Sequence, residues 1–271
     1  ILIANCSSMD AKVDLVQQAR SKGIGVYNLD NQVVEGVLAN ATMPNGVAAM
    51  ELIYAIGADT TWNANVGTIA AKSVQAQIER TYPMEGMMNG VYPNFKLLAS
   101  EDMGDSTNPS QTAFDFGETW LQKYGDDLDV IIGAADIIGI GCAEAIIKNG
   151  DEHGENTICA GLDGGSQAWS YIRKDTPFKY SYAQPFEAYA HNIMELIDEL
   201  QVQGMKPGDD GCLISEEGAA IYETGMVVSP KNVPEVGESI HAVFDYYGGD
   251  PEDADAWYNW TDGEGAYTVS E

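Results

Sequence analysis

Basic residues are scarce in this sequence. Its 271 residues include 13 lysines and arginines against 42 aspartates and glutamates, which gives a formal net charge of −29. Nucleic acids and anionic membranes are bound through clustered Lys and Arg side chains, so this charge argues against both kinds of partner. A neutral or cationic ligand suits the charge better. A solvated surface that keeps the protein soluble is the alternative explanation of the acidity.

Histidines, paired cysteines and long apolar runs are scarce as well. There are three histidines, no GxSxG and no GxGxxG after a predicted strand, so we expect no enzymatic activity. None of the four cysteines stands in a CxxC motif, so we expect no metal site and no other cofactor. No apolar run approaches the ~20 residues that a membrane helix needs, and residues 1–23 lack the features of a signal peptide.

Short apolar runs that end in a small polar group are what the sequence does contain. TICAGLDGG at 157–165 is the clearest, and the segments 1–8, 24–32 and 130–136 share its pattern. Buried parallel strands have this composition, and open α/β sheets bind ligands outside the carboxyl ends of their strands. Asp163 is therefore a candidate ligand contact, with an ordinary turn residue as the alternative.

Helical patterns alternate with these runs. We expect Asp136 to be the N-cap of the helix 137–149. Alternation of strands and helices predicts an α/β fold with parallel sheets and right-handed crossovers. The other predicted helices are 10–22, 47–56, 74–89, 111–124, 166–173 and 185–203, and the further strands are 33–41, 66–71, 95–99, 180–183, 212–215 and two within 220–228.

Five motifs then occur in a fixed order along residues 1–232. They are IGVYNLDNQ, an arginine on a later helix, VIIGAADIIGIGCAEAIIKNG, ICAGLDGG and YSYAQPFEAYAHN. This series resembles the type I periplasmic sugar-binding proteins, the ribose- and galactose-binding kind that serve ABC importers. The order of the motifs is more specific than any one of them.

The resemblance implies two doubly wound parallel-sheet lobes joined by three hinge crossovers. Residues 1–43 and 185–224 would form the N-terminal lobe, and residues 44–184 and 226–245 the C-terminal lobe. We expect the acidic, aromatic tail 246–271 to pack on a lobe. Ile1 corresponds to the third strand of the family's first lobe, so we also expect a chain that is N-terminally incomplete, with the first two βα units of that lobe lacking.

The resemblance also implies four ligand contacts. Carboxylates accept hydrogen bonds from sugar hydroxyls, whereas Arg and the Gln amide donate them. Because the four residues come from two strand ends, a helix and a hinge, we expect them to meet only when the lobes close on a ligand. The two aspartates could instead be turn residues, and the arginine a surface residue of its helix. The four are Asp30, Arg80, Asp163 and Gln184.

Three further positions bear on the ligand. Asn31 stands where many relatives carry an Arg, and we include it as a contact. Ala135 replaces an Asn of the family and removes one hydroxyl contact. Tyr82, close to Arg80, is a candidate ring for stacking on a sugar. These differences leave the identity of the sugar open.

The function that the resemblance implies is capture of a small ligand, a monosaccharide first, between the lobes and its delivery to the membrane subunits of an ABC importer. We expect a monomer in the periplasm or outside the cell, with or without a lipid anchor at the outer face of the membrane. The alternative is a ligand-sensing domain, either of a chemoreceptor or signalling protein or of a sugar-responsive repressor. A repressor would need a basic helix-turn-helix headpiece.

Overall fold

The computed structural model of this chain describes residues 1–5, 9–149, 156–216 and 219–236. The chain divides into two compact units. Unit 1 comprises Ile1–Pro44, Val74–Ala76 and Pro185–Thr224, and unit 2 comprises Asn45–Ser73, Gln77–Gln184 and the described residues from Gly225 onward. Within the described residues, no helix has the length and apolar character that crossing a membrane requires. The predicted packing of the tail 246–271 lies outside the described residues.

Strands and helices alternate along most of the chain. A 3₁₀ turn (Asp10–Lys12) precedes the first helix, another (Gly125–Asp127) follows the fourth, and a π-helical segment (Asp198–Gln203) follows the last. The strands are β1 (Leu2–Ala4), β2 (Val26–Leu29), β3 (Ala39–Thr42), β4 (Ala64–Ala70), β5 (Phe95–Asp102), β6 (Val130–Gly133), β7 (Ile158–Asp163), β8 (Phe178–Ala183), β9 (Ala220–Tyr222) and β10 (Met226–Val228). The helices are α1 (Val13–Ser21), α2 (Asn45–Asp59), α3 (Gln75–Gly90), α4 (Pro109–Tyr124), α5 (Asp136–Asn149), α6 (Ser166–Arg173) and α7 (Phe186–Ile197).

Unit 1 is built on a four-stranded parallel sheet in the order β1-β2-β3-β9. β2 and β3 are its buried strands, and α7 packs against both. A small apolar core between α1 and the sheet contains Met9, Val16, Val26, Val34 and Val37. The carboxyl ends of β2 and β3 therefore lie side by side at one edge of the sheet.

Unit 2 is built on a six-stranded sheet in the order β10-β8-β7-β6-β4-β5. All neighbouring strands are parallel except β10, which runs antiparallel to β8. β6 is buried along its whole length and β7 and β8 along most of theirs, as is typical of a parallel sheet covered on both faces. The carboxyl ends of β6, β7 and β8 are adjacent, and the site described below lies there.

The prediction of an α/β protein with parallel sheets and two lobes is confirmed. One predicted strand is displaced and another is wrong. The strand expected at 33–41 occupies Ala39–Thr42 instead, because Gly36 has a φ of 94° and the chain turns so that Val34 and Val37 both enter the unit 1 core. Residues 212–215 form no strand but a bend, and Gly208 and Gly211 on the approach adopt the left-handed conformation.

Candidate ligand-binding site

Asp163 is the last residue of β7, and its backbone has a φ of 143°. Gly164 follows with a φ of 75°, and a Cβ there would lie 2.3 Å from the Cα of Ala183 on β8. Only glycine fits this position, both because of its backbone conformation and because of this close approach. The turn therefore leaves the sheet sharply and presents the Asp163 carboxylate at the carboxyl edge.

Arg80 and Gln184 both bind the same oxygen of Asp163. The Arg80 Nη1 lies 3.0 Å from the Asp163 Oδ1, and the Gln184 Nε2 donates to that oxygen at 2.8 Å. The Arg80 side chain is 4% exposed, whereas that of Asp163 is 35% exposed. Asp163 is thus the more exposed partner of this ion pair, and the buried arginine binds it from the protein interior.

The guanidinium of Arg80 is fixed by further contacts. Its Nε donates to the Asn45 Oδ1 at 2.8 Å, and its Nη1 also donates to the Ala134 carbonyl oxygen at 2.9 Å. Asn45 in turn donates to the Glu79 Oε2 at 3.2 Å. Charge-assisted hydrogen bonds of this kind restrict both position and orientation. Arg80 is therefore a preorganised part of unit 2 rather than a surface residue of α3.

Asp136 lies directly beneath the turn and corrects our expectation of an N-cap. The helix α5 begins at Asp136 itself, and the Asp136 carboxylate binds another segment. Its Oδ2 accepts from the backbone N–H of Gly164 at 2.7 Å and of Gly165 at 3.2 Å, and its Oδ1 accepts from the Ser181 hydroxyl at 2.7 Å. Burial, and then the charge of Asp163, raise the pKa of Asp136 to about 7, while its hydrogen bonds oppose the shift.

Sequence reasoning missed Asp136 and Ser181 as parts of the site. A signal was available, because Asp136 follows the end of β6 and Ser181 lies near the end of β8, and these two strands flank β7. Polar groups at the ends of adjacent parallel strands meet at one edge. The partner of Asp136, however, depends on the register of three strands.

The predicted contacts of unit 1 lie on a second turn, at the end of β2. Asp30 has a φ of 49°, and its backbone N–H donates to the Ala41 carbonyl at 2.8 Å. The Asn28 amide donates to the Gln32 carbonyl at 2.9 Å, and the Asn40 amide donates to the Asn31 carbonyl at 2.5 Å. Asn28 and Asn40 are fully buried and directly opposite each other on β2 and β3. Together they fix the backbone of the turn.

The structure brings three of the predicted contacts together within one unit. Arg80, Asp163 and Gln184 are hydrogen-bonded to one another in unit 2, so our expectation that they meet only on lobe closure is wrong for these three. Asp30 and Asn31 belong to unit 1.

Tyr82 lies on the exposed side of α3. It is 54% exposed, while Arg80, two residues earlier on α3, is 3% exposed. Residues two apart on a helix do not share a face, so closeness to Arg80 in the sequence does not place the Tyr82 ring at the site. Among the described residues, no group of three His, Cys, Asp or Glu side chains could hold a metal ion.

Comparisons with known proteins point to one family. The family model described as "Periplasmic binding protein domain" matches residues 1–204. A solved arabinose binding protein from Geobacillus stearothermophilus superposes with a TM-score of 0.73 at 16% identity, covering 85% of this chain and 77% of that one. The sugar-binding protein of a sugar ABC transporter from Bacillus halodurans gives 0.73 at 15% identity, covering 85% and 78%.

A third solved structure carries a ligand. This periplasmic solute binding protein of an ABC transporter from Actinobacillus succinogenes, with bound D-allose, gives a TM-score of 0.68 at 18% identity and covers 85% of this chain and 78% of that one. No curated protein sequence matches the chain. At these identities the solved structures establish the shared fold, and the family match rests on the sequence itself.

Proposed function

The chain belongs to the periplasmic binding protein domain family, and from this we propose that it captures a monosaccharide and delivers it to the membrane subunits of an ABC importer. It acts outside the cytoplasm, in the periplasm or at the outer face of the cell membrane, as a monomer. The family and the similar solved proteins are binding proteins rather than enzymes.

The observation that carries this proposal is the hydrogen-bonded group Arg80, Asp163 and Gln184. One oxygen of Asp163 takes both protein donors. The other has no protein donor within the described part of the chain, and the side chain is 35% exposed. A carboxylate oxygen held in a fixed position is a strong acceptor for a ligand hydroxyl.

The charge of this group favours a neutral ligand. Arg80 and Asp163 form an ion pair at 3.0 Å, so the positive charge of Arg80 is already matched. An acidic ligand would have to compete with Asp163 for the guanidinium and would face the negative charge of the whole protein. An uncharged molecule rich in hydroxyls meets neither obstacle, and the similar solved proteins are described with arabinose and D-allose.

We assign two further contacts to unit 1. Asp30 and Asn31 stand on a turn whose backbone is fixed by buried amides. Their side chains are half-buried, so part of each is open to solvent. Asp30 would accept from a ligand hydroxyl as Asp163 does.

A thermal-shift screen of the purified protein tests the proposal. The panel is L-arabinose, D-allose, D-galactose, D-ribose and myo-inositol, with adenosine and L-leucine as ligands of other classes. A sugar at a concentration about 100-fold above its Kd would raise the Tm of a chain of this size by roughly 5–10 °C. Isothermal calorimetry then gives the Kd of each stabilising compound.

The site assignment has its own test. Asp163→Ala should reduce the shift for the same sugar at the same concentration, because it weakens binding by roughly 5- to 150-fold. Asp126→Ala, which changes an exposed aspartate, should leave the shift intact. Stabilisation by adenosine or L-leucine and by no sugar would contradict the proposed ligand class. A sugar shift that is unchanged in Asp163→Ala would contradict the site.

A further inference from the structure

We propose that Asp136 is a positioning residue for ligand capture: its ionised carboxylate, with Ser181, holds the Asp163–Gly165 turn in the binding conformation, so that ligand affinity falls when Asp136 takes up a proton. The inference rests on the proposed function, because it assigns a role beneath the same site. Asp136 itself is 6% exposed and makes its contacts with the turn rather than with solvent.

Three donors converge on the carboxylate from two directions. The N–H groups of Gly164 and Gly165 reach its Oδ2, and the Ser181 hydroxyl reaches its Oδ1. The Ser181 hydroxyl oxygen also accepts from the Gly164 N–H at 3.1 Å. Asp136 and Ser181 thus bind the backbone immediately after Asp163, which fixes the direction in which the Asp163 side chain leaves the sheet.

β7 packs closely against Asp136. A Cβ at Gly161 on β7 would lie 2.7 Å from the Asp136 Oδ1 and 2.6 Å from its Cα. The chain therefore has glycine where β7 passes Asp136, and the carboxylate rests directly on the strand that carries Asp163. Because Asp136 is packed this closely, a change in its hydrogen bonds should also change the conformation of the turn.

If Asp136 takes up a proton, at least one of its present hydrogen bonds is lost, whichever oxygen carries the proton. On Oδ2 it would meet the two backbone N–H donors of Gly164 and Gly165. On Oδ1 it would meet the Ser181 hydroxyl, which would then have to turn its own hydrogen away, although Ser181 is completely buried. Either position removes at least one of the bonds that hold the turn and turns the remaining ones into weaker, neutral hydrogen bonds.

Few charged groups surround Asp136. β7 contributes Asp163, whose negative charge opposes that of Asp136, and α3 contributes Arg80, which binds Asp163. β8 faces it with the uncharged Ser181, and α4 packs on α5 with the apolar Ala113. Its ionisation is therefore coupled to Asp163, the residue that would accept hydrogen bonds from the ligand.

The direction of the coupling follows from burial. Asp136 is already buried without a ligand, so a bound sugar adds little to its desolvation. A sugar hydroxyl that donates to Asp163 weakens the repulsion between the two carboxylates and favours ionised Asp136. Since burial and Asp163 place the pKa of Asp136 at about 7, the sugar affinity should fall as the pH drops from 8 to 5.5, by about 5- to 10-fold.

The experiment compares wild type with Asp136→Asn at pH 8 and pH 5.5 by calorimetry. The probe is whichever of L-arabinose, D-allose, D-galactose, D-ribose and myo-inositol gives the largest thermal shift. The asparagine resembles the protonated acid, so its affinity should equal the low wild-type value at both pH values. The matched control, Asp126→Asn, changes an exposed aspartate and should keep the wild-type pH dependence. Equal wild-type affinity at both pH values, or an unchanged pH dependence in Asp136→Asn, overturns the proposal.

A second readout needs no ligand. The hydrogen-exchange protection factors of the Gly164 and Gly165 amides should fall in the free wild-type protein between pH 8 and pH 5.5, and should stay constant in Asp136→Asn. If no sugar of the panel binds, the proposed function and the predicted change in affinity both fail, and the protection factors still decide whether Asp136 holds the turn. If Asp136→Asn does not fold, Ser181→Ala replaces it. Loss of the hydroxyl donor should move the midpoint to higher pH, and an unchanged midpoint overturns the proposal.

Discussion

The turn after β2 in unit 1 carries Asp30, and the turn after β7 in unit 2 carries Asp163. Both aspartates have a positive φ, 49° and 143°, and both turns are fixed by buried polar side chains. Those of the unit 1 turn lie on β2 and β3, and those of the unit 2 turn lie at the start of α5 and on β8. The chemistry of the two supports is opposite. In unit 1 the Asn28 and Asn40 amides donate to carbonyl oxygens of the turn, whereas in unit 2 Asp136 accepts from its N–H groups.

Because of this difference, the support of the unit 1 turn should not depend on pH, whereas that of the unit 2 turn should. An amide keeps its donors at every physiological pH, so the unit 1 turn should be held equally well at pH 5.5 and pH 8. A carboxylate loses acceptors when it takes up a proton, and burial brings that event close to neutrality. Two turns with the same task should thus respond differently to acid.

The unit 2 turn also has a charged support for the aspartate itself, and its removal should have the largest effect. Arg80→Ala removes the donor to the Asn45 Oδ1 and to the Ala134 carbonyl, and leaves Asp163 with Gln184 as its remaining side-chain donor. Breaking a buried ion pair costs about 3–5 kcal/mol, and the partial exposure of Asp163 lowers the expected loss to about 3 kcal/mol of unfolding free energy.

Urea unfolding measures this loss. The control is Arg20→Ala in unit 1, where the half-buried arginine donates a long, 3.4 Å hydrogen bond to the Ile24 carbonyl. We expect this variant to lose less than about 1 kcal/mol. Equal losses in the two variants would show that Arg80 is no special support of unit 2.

Replacing an amide of the unit 1 support by a carboxylic acid should make the stability of this unit depend on pH, in the direction opposite to that of the Asp136 support. In Asn40→Asp an ionised carboxylate would face the Asn31 carbonyl, to which the Asn40 amide now donates. Only the protonated acid can donate, so we expect the unfolding free energy to fall by about 2 kcal/mol between pH 5 and pH 8.

The sign follows from linkage. Burial raises the pKa of the introduced acid above its unfolded value, so its stabilising contribution is present at low pH and is lost as the pH rises. Asn63→Asp, at an exposed position, supplies the control in the same urea titrations. A variant equally stable at pH 5 and pH 8, relative to that control, would remove the contrast between donor and acceptor supports.

Loss of the aspartates themselves compares the two turns at the ligand. An unsatisfied buried hydroxyl costs ~1–3 kcal/mol, so Asp163→Ala should weaken sugar binding by roughly 5- to 150-fold. Asp30→Ala should fall in the lower part of this range if only one of its oxygens reaches the ligand. Calorimetry at pH 8 measures both, and an unchanged Kd in either variant removes that residue from the site.

The sequence was sufficient to predict the ends of the strands but not what holds the turns. Asp163 and Asp30 follow buried apolar runs, so both could be placed at the carboxyl edge of a parallel sheet, and the helix 166–173 has the predicted bounds. Asp136 begins a helix, where its own N-terminus is the natural partner to expect. Its actual partners lie 28, 29 and 45 residues away and depend on strand register.

Two other differences have local causes. The pairing of Asn28 with Asn40 follows from the register of β2 and β3, which the alternation of residues alone does not fix. The exposed position of Tyr82 could have been foreseen, because a spacing of two residues on a helix turns side chains to different sides. The apolar residues at 33–38 have the composition of a strand, but the positive φ of Gly36 turns the chain into the core.

The smallest predicted effect is also the one that sets function against stability. Burial and Asp163 raise the pKa of Asp136 from 3.8 to about 7, so the folded protein takes up a proton that the unfolded chain releases. The contribution of this group to stability is therefore full below pH 4 and is lost as the pH rises to 7.

At pH 8 the wild-type protein contains a buried negative charge that Asp136→Asn lacks. We expect this variant to be about 1 kcal/mol more stable than wild type at pH 8, since relief of the charge outweighs the weaker hydrogen bonds. Urea unfolding at pH 8 measures the gain and calorimetry the affinity, so that a more stable variant with weaker sugar binding would show that the acceptor support of unit 2 serves binding at a cost in stability. A variant that loses both would show instead that Asp136 is an ordinary structural residue, and that the two turns differ in chemistry without differing in function.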